Sequence, residues 1–139
     1  MRRSDRGTAL LEAAVTMPIL LLIAVGIFEF GRAYQTWQVL TNAAREGARV
    51  SVLPSATEDA VVTVVRNYMT SGGLPKSATA VVSVNRNAAA GANVASQIIV
   101  DYPFEFIVLQ PVARLVQPGA QTGAPLTMRA TAVMRNETQ

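Results

Sequence analysis

The sequence contains no cysteine and no histidine. The first absence excludes disulfides and thiolate chemistry. The second removes the commonest general base and the commonest zinc ligand. Positive charge is also scarcer than the formal net charge of +3 suggests. There is no Lys/Arg run and no interleaving of basic with aromatic side chains, so the footprint of a nucleic-acid surface is missing. Three of the 12 basic residues lie within Met1–Gly7, and beyond residue 7 nine basic residues stand against eight acidic ones. The basicity belongs to a short leader, and no nucleic-acid partner is expected. No internal repeat, cofactor motif or metal-ligand spacing occurs. Asp101 and Glu105 offer one carboxylate pair, but their β context favours a solvated or strand-edge role. The expectation is therefore no enzyme, no catalytic residue, no cofactor and no metal.

What is present is apolar. Half of the 139 residues are hydrophobic, enough for one small domain with an appended segment. Ala13–Phe28 runs for 16 residues without a charge, and Ala9–Leu11 extends it to membrane length if Glu12 is tolerated. A bilayer core of roughly 30 Å needs about 20 helical residues. Arg2, Arg3 and Arg6 precede the run, so the positive-inside tendency places the amino terminus in the cytoplasm and exports the chain beyond Phe28. A buried core helix, a signal cleaved near Gly31-Arg32-Ala33 and a plain signal anchor compete with this reading. Pro18 interrupts the run and predicts a kink or loosened turn, because proline removes a backbone donor.

Glu12 is the informative residue. An ionised carboxylate deep in a bilayer costs at least a few kcal/mol, so a buried acid calls for a cationic partner. No Lys or Arg comes after Glu12 at helical spacing. A chain amine exposed by nearby cleavage would serve. The string Gly7-Thr-Ala-Leu-Leu-Glu12 resembles the prepilin peptidase site of type IV pilin-like proteins, in which the leader is cut after glycine and the fifth mature residue is glutamate. The resemblance implies Gly7 and Thr8 as the processing site and Thr8 as the mature amino terminus.

The helical pattern continues beyond the run. Apolar or small residues recur at Tyr34, Trp37, Leu40, Ala44 and Gly47 or Ala48, in steps of three and four. Pro54 ends the pattern. From Ala9 to Leu53 such a helix would be about 67 Å long. Ala43, Ala44, Gly47 and Ala48 permit close approach of another backbone, from this protein's own sheet or from a neighbouring helix. "EAAVTMPILLLIAVGIFEFGRAYQTWQVLTNAAREGAR" is similar to the TadE family of the tight adherence (Tad, or Flp) pilus systems, through Glu12, Pro18, Phe28–Arg32 and Asn42–Arg49. The resemblance implies a pilin-like minor subunit held in the inner membrane. Its implied partners are a prepilin peptidase, other pilin-like subunits and Tad inner-membrane assembly proteins, besides the lipid bilayer. Glu12 and Pro18 become assembly residues in this reading. Ala13 stands after Glu12 where the Tad-type major pilin has an aromatic residue, which points away from a major pilin. The rival readings are an unprocessed single-pass scaffold of the Tad secretion apparatus and an exported binding domain.

The remainder predicts an α+β domain. Ser55 or Thr57 caps a second helix, Glu58 and Asp59 favour its positive end, and Ser71-Gly72-Gly73 stops it. Val61, Val62, Val64, Val65 and Tyr68 supply its apolar side. Thr79–Asn85, Val94–Tyr102 and Thr127–Arg135 read as strands, with Phe104 and Phe106 continuing the second and Pro103 limiting its pairing. Met128, Ala130, Ala132 and Met134 form the buried face of the third. Residues 109–126 read as a variable surface loop. The expected organisation is a cytoplasmic leader over 1–7, a transmembrane segment over 8–30, its extramembrane continuation over 31–53 and a small exported domain over 54–139. The fold class is α+β, with the long helix packed against a small antiparallel sheet and one short additional helix.

Overall fold

The computed structural model describes residues 2–90, 93–119 and 121–136; Met1, where the expected leader begins, lies outside them. The fold is α+β, as the sequence pattern predicts. A single helix, α1, spans Arg2–Ser51 and runs without interruption through Pro18. Helix α2 covers Glu58–Ser71 and a 3-10 turn covers Ser77–Thr79. Strands β1 (Val81–Ala90), β2 (Asn93–Phe104) and β3 (Leu126–Arg135) form one antiparallel sheet in the order β1-β2-β3. A further helix, α3, occupies Leu109–Val116. The chain divides into two compact units: Met1–Arg32 with Phe106–Ala124, and Ala33–Glu105 with Pro125–Gln139.

The second unit holds the larger core. Leu40, Ala43, Ala44 and Ala48 of α1 are buried together with Val61, Val65 and Met69 of α2 and Ile98, Val100, Tyr102 and Phe104 of β2. The buried side of α1 differs from the sequence expectation. Tyr34 and Trp37 are 62% and 47% exposed, while Thr36 and Ala43 are inside. The two aromatic rings meet each other outside the core, 6.3 Å apart. A Cβ at Gly47 would lie 2.5 Å from Val65 Cγ2 and 3.5 Å from Ile98 Cγ2, so α2 and β2 press closely on α1 and admit only small side chains there.

Local chemistry sets the ends of α2. Thr57 is the N-cap, its Oγ1 accepting from the Ala60 amide at 3.2 Å. Its buried stripe is Val61, Val65 and Met69, with Tyr68 left 40% exposed. At the other end Leu74 N–H donates to Met69 O and Gly73 N–H to Thr70 O, both at 3.0 Å. This is a Schellman closure, and Gly73 takes the left-handed φ of +77° that it requires.

In the sheet, β2 is central. Val100 lies opposite Val82 on one side and Ala130 on the other. Alternate residues of β3 turn inward, from Met128 through Ala130 and Ala132 to Met134, because one face is covered and one is wet. Pro103 is accommodated because the β1 pairing stops at Asp101, leaving Pro103 opposite Thr127 of β3 alone. Tyr102 is 4% exposed, and its hydroxyl accepts from the Lys76 amide at 3.3 Å.

Candidate membrane and assembly site

From residue 7 to residue 24 every residue of α1 is exposed. Leu10, Leu11, Val15, Met17, Ile19, Leu20, Leu21, Leu22, Ile23 and Ile27 each retain more than half of their accessible surface. The helix is long and apolar enough to cross a membrane, and none of its most apolar 18-residue stretch is buried. A core helix of a soluble protein would be covered by its own chain, so this exposure argues against that competing reading. The helix fits a single-pass membrane protein.

Gly7, Thr8, Glu12 and Pro18 all lie on this helical stretch and are exposed. Nothing approaches within 4 Å of a Cβ built on Gly7, so packing does not demand glycine there. Glycine inside a helix is nevertheless about 1 kcal/mol less favourable than alanine. Thr8 and Glu12 are four residues apart, one turn, with a rise of about 6 Å. Among the described residues the Glu12 carboxyl has no hydrogen-bond or ion-pair partner.

A second acid occupies the opposite situation, and the sequence pattern did not single it out. Glu29 is completely buried. Its Oε2 accepts from Arg32 Nη1 at 2.9 Å, one turn along the same helix. Its Oε1 accepts from the Val108 amide at 2.5 Å and from the Leu109 amide at 3.4 Å. Those two amides open α3. The N-cap position of α3, Val108, has no side-chain cap of its own; a carboxylate from α1 supplies the acceptor instead and also matches the positive end of the helix. The only signal available in the sequence was an acid closing the apolar run with an arginine three residues on.

Helix α3 replaces the surface loop expected over 109–126. Pro111 is tolerated because it falls in the first turn, where its missing N–H would have no intrahelical acceptor. Behind the helix, Gly123 adopts a φ of +71°, and a Cβ on it would stand 2.8 Å from Gln110 N. Glycine is required at that turn on both counts. Between α1 and α3 lies an apolar groove of about 490 Å³, with Met17, Pro18, Leu21 and Val25 on one wall and Leu109 and Val112 on the other.

Ala43, Ala44, Gly47 and Ala48 are all buried, and Gly47 faces Val61 and Val65 of α2 and Ile98 of β2. Asp101 and Glu105 do not act as a pair. Asp101 takes a bidentate contact from Arg129 at 2.7 and 2.8 Å, and Glu105 meets Lys76 at 2.6 Å. Among the described residues no group of three or more acidic, Cys or His side chains is placed to hold a metal ion.

Residues 7–49 match the model of the TadE-like protein family. The match covers about the first third of the chain and includes Gly7, Thr8, Glu12, Pro18, Glu29 and the four small residues. Neither the curated proteins nor the solved structures gave a match.

Proposed function

We propose that this chain is a minor pilin or pseudopilin-like subunit for assembly of a Tad/Flp-type adhesion pilus, anchored in the inner membrane with its amino terminus cytoplasmic and its sheet domain exported. The observation that carries the reading is the TadE-like match over residues 7–49, which begins at Gly7 and takes in the exposed apolar helix. In this reading a prepilin peptidase cuts after Gly7 and leaves a charged amine on Thr8. Glu12 lies one turn along, exposed on a lipid-facing helix and without a partner among the described residues. Pairing between Glu12 and a Thr8 amine, its own or that of a neighbouring subunit, offsets desolvation as helices leave lipid for a bundle. That pairing also sets their axial register.

Intact-mass measurement of the protein from a host carrying the matching peptidase tests maturation. The expected product has lost Met1–Gly7, and a full-length mass alongside normal pilus formation overturns the processing step. In the same host Glu12→Ala is expected to insert normally but to enter the pilus complex less. Unaltered assembly with that variant overturns the role given to Glu12.

A further inference from the structure

Helix α3 has features that a helix in water does not need. At eight residues it is too short to be stable alone. Its apolar side carries Leu109, Val112 and Leu115, with Gln110 and Arg114 one turn apart on the other side. Leu115 is 86% exposed, more than any other large apolar side chain described, and Val112 is 40% exposed. Two of the amides that open the helix are held by a side chain from α1. Val108 and Leu109 donate to Glu29, Pro111 has no donor, and Val112 N–H reaches Val108 O at 3.1 Å. At the far end Gln117 N–H is held by Ala113 O at 2.9 Å. In water, solvent would satisfy these amides. In hydrocarbon each unsatisfied one costs several kcal/mol.

We infer that α3 is a second membrane-seated element: it lies in the outer leaflet beside the span of α1, and the groove between the two helices is filled by lipid acyl chain. The groove wall on α1 includes Met17 and Leu21, each 64% exposed and part of the same apolar surface that is exposed along the rest of the run. The lipid-facing surface therefore continues into the groove and onto α3. An extended peptide occupant would bring unpaired backbone amides to that depth. Arg114 on the polar side is long enough to reach phosphate headgroups while its stem stays in the apolar layer. The outer leaflet is dictated by position, because Glu29 closes the end of the run opposite the basic leader. This inference rests on reading α1 as a span with a cytoplasmic amino terminus.

The absence of cysteine makes the test direct. Leu115→Cys and, as a reference in the span, Leu20→Cys are each introduced into the full chain and labelled with an environment-sensitive fluorophore. The labelled chains are reconstituted one copy per nanodisc of phosphatidylcholine and phosphatidylglycerol. The label at 115 is expected to be quenched several-fold more by nitroxide lipids than by aqueous iodide, most strongly by nitroxides near the headgroup. Lipid quenching at 20 with iodide quenching at 115 overturns the inference and leaves the span intact. Iodide quenching at both positions overturns the span and this inference with it. Loss of lipid quenching at 115 when discs hold two copies overturns the lipid assignment in favour of a second copy of the chain.

Discussion

Glu12 and Glu29 stand near the two ends of one apolar run, and their surroundings differ completely. Glu12 is exposed on α1. Glu29 is buried and fully engaged by Arg32 and by the first amides of α3. Hydrogen bonds to a charged acceptor contribute about 1.5–3 kcal/mol each, and 1.4 kcal/mol is about a factor of ten in an opening equilibrium. Glu29→Ala should therefore raise amide exchange across residues 106–116 by about tenfold or more. Exchange in α2 should be unchanged, and mass spectrometry of the exchanged peptides reads both segments. A different single-residue effect belongs to Asp101. The Arg129 hydrogen bonds hold its carboxyl below the ordinary carboxylate value, and Arg129 is raised in return. A lowered folded value means the contribution is present above the unfolded value of ~3.9 and is lost as pH falls through the folded one. Urea midpoints of the native chain should approach those of Asp101→Asn as pH drops from about 5 to below about 3. The gap at neutral pH should be small, since the Arg129 side chain is 65% exposed and the pair is screened by solvent.

At the scale of elements, the contact of α1 with α2 turns on one hydrogen atom. Gly47 leaves room for Val65, and a Cβ there would approach Val65 Cγ2 to 2.5 Å. Gly47→Ala should destabilise by about 1–3 kcal/mol through overpacking, despite alanine's higher helix propensity. Adding Val65→Ala should recover part of that loss. A double-mutant cycle in thermal unfolding measures the coupling, and additivity of the two changes would disprove the contact. The elements themselves were unequally legible. The alternation of β3 was plain because one face is dry, and the Thr57 cap and Gly72-Gly73 stop of α2 are local signals. Helix α3 was hidden because eight residues holding a proline resemble a loop, and its cap comes from 79 residues earlier in the chain. Tyr34 and Trp37 misled because helical spacing identifies a stripe without saying which side a sheet will cover.

For the whole molecule, the sequence alone determined the long apolar helix, the basic residues ahead of it, the position of Glu12 relative to Gly7 and the α+β class. Each is a matter of spacing along a continuous stretch of backbone, where 1.5 Å of rise per residue converts sequence position into geometry. Tertiary structure alone decided that residues 106–124 group with the membrane-length segment in one compact unit. It also decided that Glu29 is the buried acid and that α1 turns Ala43 and Gly47 inward while leaving Tyr34 and Trp37 outside. Those outcomes depend on which distant groups meet. A carboxylate becomes a helix cap only when folding brings unsatisfied amides to it, and nothing in the residues beside Glu29 records their arrival.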